Sequence, residues 1–526
     1  MRWRKAAEIA AGIACEWTGE GGPGGAILLF DTAGIRAEAC GGLASLELGL
    51  PFTAATAVRY ASISKHFMAA LLLRLQDEGR LSLDDPLGRH LPGLASAPAA
   101  VPIARALDMT GGLPDAMETL WLLGVPWTAS IGRAALHRFV GGIDALNFPS
   151  GTEISYSNTG YRLLEAALQH AGHDYATLLR ERFFRPLGLT MTLPEDETEP
   201  VPALAAGYHR TASGWRRGRY GLHISASGGL AGTAHDLVAW LQALLTGAAP
   251  AADLLAPLGA RRRLLDGTLS DYGLGLARSP LPGEIAVGHG GSLPGYKHHF
   301  LLLPAHGAGV VVLTNREDAD AHGIALAVAA ALTGAELAEP AAGLLPQGLF
   351  VAEHGPFWIE QQGGAPGSAP TGPAPIGGPP TGGTLTFLGA SETLLRGPDG
   401  TAVSRSAHLP MALRFAGNAI EGPIGHVARR FRAVAPDAAL ASGWAGVWEN
   451  EDYAARFDIA LGAAPALTVG TGPLRVALPL TALDARRALT DRIDRPWRQR
   501  ACLMLEGDTL RVVSNRSRVL VFRRTA

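Results

Sequence analysis

Lysine is the residue this chain almost does without. Lys5, Lys65 and Lys297 are the only three among 45 basic side chains in 526 residues, and arginine fills every other cationic position. Arginine serves surface charge and salt bridges as well as lysine, but its guanidinium stays protonated in proteins, whereas a desolvated amine can release its proton. A lysine kept three residues after Ser62 therefore points to a task that needs deprotonation. Cysteine is as scarce: Cys15, Cys40 and Cys502 form an odd, widely spaced set without metal-ligand spacing, so neither a disulfide framework nor a zinc site is implied. Excess charge is missing too, and a net charge of -2 argues against nucleic acid or an anionic membrane as partner and for a small substrate. No uninterrupted apolar run approaches the roughly 20 residues that span a bilayer.

What is present sorts into three textures. The amino terminus, MRWRKAAEIAAGIACEW, has the basic start of a signal peptide, but Glu8 interrupts its short apolar run and an amphipathic helix explains the pattern equally well. The expected compartment is the cytoplasm, with export left open. Residues 26–40 read as two strands around a turn at Thr32-Ala33-Gly34. From 62 a helix follows, with Phe67, Ala70, Leu71 and Leu75 on one face and Gly79 at its stop. Further helices are expected at about 159–171 and 235–246, and 286–318 reads as two antiparallel strands joined at Pro304 to Gly309. Strands at both ends of a helical middle imply a mixed sheet built from the two ends of the segment. After an apolar helix ending near 337, short β-like runs dominate, interrupted at 363–383 by a Pro/Gly-rich stretch, and a second β-rich unit begins near 443.

A serine hydroxyl is a poor nucleophile until a base within hydrogen-bond reach takes its proton. The spacing i, i+3 at a helix start places Ser62 and Lys65 one turn apart, and the free N–H groups there suit an oxyanion. Alone, the tetrad Ser62-Ile63-Ser64-Lys65 still admits the lesser reading of a capping serine and a solvent-facing lysine. Tyr156-Ser157-Asn158 lies just before a helix, where Tyr156 as a phenolate could share a proton with Lys65 and Asn158 could bond the amine or a substrate amide. His289-Gly290-Gly291 opens a strand. Its glycines let substrate approach the backbone, and the Ser292 N–H could complete an oxyanion hole.

These three stretches resemble the Ser-x-x-Lys, Tyr-x-Asn and Lys/His-Thr/Gly-Gly motifs of the serine β-lactamase and penicillin-binding-protein family, in the branch with class C β-lactamases, D,D-carboxypeptidases, esterases and D-aminopeptidases. MTGGLPD (109–115), GGLAGTAHDLVAWLQALL (228–245), YGLGLA (272–277) and LTN (313–315) add to the resemblance, which covers most of residues 20–335. It implies an α/β fold, a mixed antiparallel sheet plus a helical subdomain, at 1–337, followed by two small antiparallel β-barrels at 338–437 and 438–526. A chain of this design looks like the bacterial D-aminopeptidases, which release an amino-terminal D-residue from short peptides or amides without metal or organic cofactor. The resemblance makes Ser62, Lys65, Tyr156 and His289 catalytic and Asn158, Gly290, Gly291 and Ser292 substrate-binding.

In that family a loop of the third domain enters the site with an acidic group for the substrate ammonium. Its expected equivalent here, 470–482, has no acid and one charge, Arg475, counted among the substrate-binding residues; either Asp115, Asp484 or backbone carbonyls receive the ammonium, or the loop selects a carboxylate or neutral acyl group and the enzyme does carboxypeptidase or esterase work. The alternatives are an esterase, D,D-peptidase or β-lactamase-like hydrolase and, further off, a non-catalytic sensor. Partners are expected to be a small peptide or amide, no nucleic acid and no membrane, with a homodimer left open.

Overall fold

The computed structural model describes residues 1–223, 225–362 and 383–525. Strand alternation builds its first layer. In β1 (Gly25–Asp31), Ala26, Leu28 and Phe30 face one side and Ile27 and Leu29 the other, all fully buried, as a strand covered on both faces requires. With β2 (Gly34–Gly41), β3 (Ala277–Ser279), β4 (Ala286–Leu293), β5 (Tyr296–Leu303) and β6 (Ala308–Thr314), it forms an antiparallel sheet of order β3-β4-β5-β6-β1-β2. The join of early and late chain is the β1–β6 ladder, in register from Gly25–Thr314 to Asp31–Ala308. The segment expected to hold two strands holds three, because Pro294 and Gly295 make a tight turn between β4 and β5. Gly295 sits at φ +87° there, with the Gly207 backbone where a Cβ would be.

The helices that frame the site are α1 (Trp3–Gly19), α2 (Lys65–Asp77), α3 (Ala116–Leu122), α4 (Thr159–His170), α5 (Ala234–Thr246) and α6 (Ala321–Thr333). Ala6, Ala10 and Trp17 of α1 join α6 and the Ile27 side of the sheet in one core. On the opposite face lie α2 and α5. Helix α2 is buried almost all round, from Lys65 to Leu75, rather than along the single face expected from its periodicity, because the sheet, α5 and the helical subdomain enclose it. Trp240 of α5 holds this layer: fully buried, it stacks on Phe67 at 4.7 Å between ring centroids and donates its indole N–H to His66 Nε2 at 2.7 Å.

Two closed, antiparallel, eight-stranded barrels follow, the first running from Gly348–Ala352 to Val427–Ala433 and the second from Gly446–Asn450 to Leu520–Arg524. Closure pairs first and last strands in each and removes the exposed edges that strands this short would leave. Apart from Gly383, the Pro/Gly-rich stretch at 363–383 lies outside the described residues. Among the described residues no helix is long and apolar enough to cross a membrane.

Trp240→Ala should lower the unfolding free energy of the sheet-and-helix unit by about 3–5 kcal/mol, read as a fall in the urea midpoint followed by tryptophan-independent circular dichroism. Loss below 1 kcal/mol would show that α2 is held elsewhere.

Candidate active site

Ser62 does not start the long helix. It sits in a 3-10 turn, Ala61–Ser64, and α2 begins at Lys65. The preceding Ala61 has φ +53°, a left-handed conformation costly for any residue with a Cβ. Gly291 of β4 explains how the turn is pressed into place: a Cβ there would lie 2.2 Å from the Tyr60 carbonyl oxygen and 3.3 Å from Ala61 Cβ. The strand meets the turn here with no side chain of its own between them.

Lys65 is fully buried, and its Nζ meets three oxygens: Ser62 Oγ at 3.0 Å, Asn158 Oδ1 at 2.7 Å and the Ser227 carbonyl at 2.5 Å. Burial drives its pKa well below the usual lysine range. Asp115 opposes this, while Arg516 and Arg162 push further down. Asn158 is oriented in turn by Asp115, whose Oδ2 accepts from the Asn158 backbone N–H at 2.7 Å and side-chain N–H at 2.8 Å. The other oxygen of Asp115 caps α3, accepting from the N–H groups of Met117 and Glu118 at 3.0 Å each. All four bonds are internal, so Asp115 is not available to a substrate ammonium.

Tyr156 places its ring centroid 4.9 Å from Lys65 Nζ. Its hydroxyl is buried and completes no well-formed hydrogen bond among the described residues, although Ser62 is near enough to pull its pKa part of the way back. Burial dominates and pushes the phenol up as it pushes the Lys65 amine down, so both shifts favour the neutral forms and weigh against the phenolate reading. His289 is buried, and its pKa is held well below the usual histidine range, first by burial and then by His408 and Lys65. Its Nδ1 lies 2.6 Å from the Gly290 carbonyl, which can only accept, so Nδ1 carries the proton and Nε2 receives the Tyr272 hydroxyl at 3.0 Å. Gly290 lies with His299 Nδ1 3.0 Å from where its Cβ would be. β3 pairs with β4 only as far as Gly288, so beyond it that edge of β4 has no strand partner among the described residues and runs free past the Ser62 turn. Ser292 lies on it, exposed, with Oγ accepting from Lys297 Nζ at 2.7 Å.

Both barrels reach this cluster. His408, between strands of the first barrel, packs its ring 5.0 Å from that of Tyr156 and 4.9 Å from that of His289. Loop 514–518 of the second barrel lies along α3 and the Tyr156 segment: the Arg516 carbonyl accepts from the Asp115 N–H at 2.7 Å, and Ser155 Oγ donates to the Asn515 carbonyl at 3.1 Å. The hairpin of strands Arg487–Asp494 and Trp497–Glu506 inserts its tip beside Trp127 and Tyr220. Asp494 accepts from the Trp127 N–H at 2.6 Å, and Trp497 donates to Glu317, the ion-pair partner of Lys297. Arg475 is not brought to the site; it is exposed and paired with Asp458 on its own barrel. Asp484 is likewise held within its barrel by Arg486 and Arg487.

The beta-lactamase family model matches residues 9–335. The chain belongs to the beta-lactamase family. It is 30% identical over 314 residues to a D-aminopeptidase of Gluconobacter oxydans, covering 59% of each chain, and 28% identical over 281 residues to a D-aminopeptidase of Brucella anthropi, covering 52% of this chain and 53% of that one. The matched region thus spans less than two thirds of these relatives. Among solved structures, the octameric penicillin-binding protein homologue from Pyrococcus abyssi shares the fold over 98% of this chain and 99% of its own, with TM-score 0.55 and 18% identity. The D-amino acid amidase from Ochrobactrum anthropi SV3 covers 62% of this chain and 99% of its own, with TM-score 0.54 and 23% identity.

The family's motifs lie within the matched region, but His408, Trp497 and Arg516 lie beyond it and carry no motif. Lys297 carried a signal that sequence reading passed over, since the scarcity that singles out Lys65 applies to it equally. The electrostatics of Lys65 can be read directly, because three lysines give a resolvable NMR spectrum from 13Cε-labelled protein. Asp115 raises the Lys65 pKa, so Asp115→Asn should move the Lys65 titration to lower pH. A shift to higher pH would contradict the arrangement described.

Proposed function

We propose that the protein is a serine hydrolase that releases amino-terminal D-residues from short peptides or amides through an acyl-enzyme. The observation that carries the chemistry is the buried amine of Lys65, depressed in pKa and 3.0 Å from Ser62 Oγ. A neutral amine there takes the Ser62 proton as Oγ attacks the substrate carbonyl. The N–H groups of Ser62 and Ser292 hold the oxyanion, the second from the unpaired edge of β4. As the C–N bond breaks, Tyr156 gives its proton to the departing amine and regains one from the Lys65 ammonium. Water then repeats the sequence on the ester and frees the acid. His289, with both nitrogens occupied, acts as a positioning residue that fixes Tyr272 and the β4 backbone.

The D-residue reading is supported by the D-aminopeptidase relatives. For the substrate ammonium we assign Asp494, at the tip of the hairpin that the second barrel inserts, in place of the loop at 470–482. The acyl residue would lie against Trp127, Tyr220 and Trp497, whose rings sit 5.1–6.5 Å apart and which connect through the Tyr220 hydroxyl and Met117 Sδ to Asn158.

The deciding assay compares D-alanine p-nitroanilide with its L-isomer and its N-acetylated form, beside a p-nitrophenyl ester and a cephalosporin. Preference for the free D-amine is expected; preference for the acetylated form or the ester would replace the proposal by one of its hydrolase rivals. Lys65→Arg should abolish turnover with the fold intact, since charge is kept and deprotonation lost, and Ser62→Ala should remove the acyl adduct from intact-mass spectra. Asp494→Asn should raise KM for the free amine by about tenfold and leave KM for the acetylated form unmoved.

A further inference from the structure

Arg516 presents an arrangement that the acyl-transfer chemistry does not use. Its backbone is pinned: the N–H donates to Glu118 Oε2 at 3.0 Å, and the carbonyl accepts from the Asp115 N–H at 2.7 Å and from Asn147 Nδ2 at 2.9 Å. The flanking residues are tied as well, Ser517 Oγ to Thr119 Oγ1 at 2.7 Å and Arg518 to Glu153 at 2.8 Å. Yet its guanidinium, with five N–H donors, forms no hydrogen bond among the described residues. Nε is buried and unpartnered, and its one ion pair, to Glu118 Oε1, is long at 3.7 Å. The side chain is 34% exposed and lies over the Tyr156 ring at 4.8 Å. A rigidly mounted guanidinium with one long ion pair, a ring contact and no hydrogen bond among the described residues, set against the residue that would protonate the leaving amine, is poised for an anion on the leaving-group side.

We propose that Arg516 receives the carboxylate of the departing residue, so that preferred substrates are short peptides ending in a free C-terminal carboxylate directly after the scissile bond, rather than simple amides. The proposal rests on the acyl-enzyme reading above and narrows it from the leaving-group side. Glu118 faces the Nε edge of the guanidinium and its Oε2 is already engaged by the Ser514 hydroxyl and the Arg516 N–H, which leaves the terminal Nη pair to form the two parallel bonds a carboxylate accepts. The loop that carries Arg516 also bonds Asp115 and Ser155, the two segments that hold Asn158 and Tyr156, so the anion site and the proton-transfer groups keep one geometry.

The test compares D-alanyl-D-alanine with D-alanyl-D-alanine amide, which differ only in the terminal charge. Wild type should favour the carboxylate in kcat/KM by about tenfold or more, Arg516→Met should bring the ratio to about one, and Arg516→Lys should recover part of it. A wild-type ratio of one or below, or a ratio unchanged in Arg516→Met, would overturn the assignment. Hydrolysis of D-alanine p-nitroanilide in the same preparation separates this failure from failure of the proposed reaction. If neither dipeptide is turned over, calorimetric Kd values for the pair on Ser62→Ala protein still decide it: tighter binding of the carboxylate, lost with Arg516→Met, supports the site, and equal binding refutes it.

Discussion

The structure is organised around one buried amine. Taking a charged ammonium out of water is expensive, and a protein that encloses one either pairs it or lets it lose its proton. Lys65 is buried and, among the described residues, offered oxygen atoms but no carboxylate in contact: a hydroxyl, an amide and a backbone carbonyl. Asp115 stands one residue further out, behind Asn158, close enough to temper the shift and too far to cancel it. The same carboxylate caps α3 and positions Asn158 by two bonds, so helix start, amide orientation and amine basicity are set together.

That arrangement depends on the barrels. The Asp115 N–H has its acceptor in Arg516 of the second barrel, and Ser155, next to Tyr156, donates to Asn515 of the same loop. His408 from the first barrel packs its ring against that of Tyr156. A buried polar group left without its partner costs about 1–3 kcal/mol, so the barrel loops act as parts of the site's supporting hydrogen-bond frame as well as its walls.

What could be read from sequence was what is local. Ser62 and Lys65 are three residues apart, Tyr156 and Asn158 two, and each motif carries its chemistry within one turn or strand. The period of two in β1 and the apolar runs of β5 and β6 likewise report burial directly. The all-round burial of α2 was not legible from Phe67, Ala70, Leu71 and Leu75, because Lys65 and His66 are enclosed by distant elements and look polar in the sequence. The loop at 470–482 keeps Arg475 paired with Asp458 on its own barrel, and the hairpin tip near Asp494 is what meets Trp127. Which turn of a closed barrel faces its neighbour is decided by barrel register and docking, and neither leaves a pattern in the residues concerned. Arg516 and His408 were hidden for the same reason: one arginine among many and one histidine in a Ser/Ala-rich turn gain meaning only from the Tyr156 ring they meet.

The scarcity of lysine then has a fuller physical account than Lys65 alone supplies. Lys5 lies on α1, away from any group of the site described here, but Lys297 donates to Ser292 Oγ and pairs with the buried Glu317, which also accepts from Trp497. Two of three lysines therefore lie at the site, Lys65 at the start of α2 directly after the Ser62 turn and Lys297 on β5, reaching Ser292 of β4. At the inner position an arginine could not surrender its proton. At Lys297 the compact ammonium lies between the Ser292 hydroxyl and a carboxylate that an indole N–H already shares. In a chain that uses arginine almost everywhere else, the two lysines at the site serve where a compact charge is seated or where chemistry calls for a removable one.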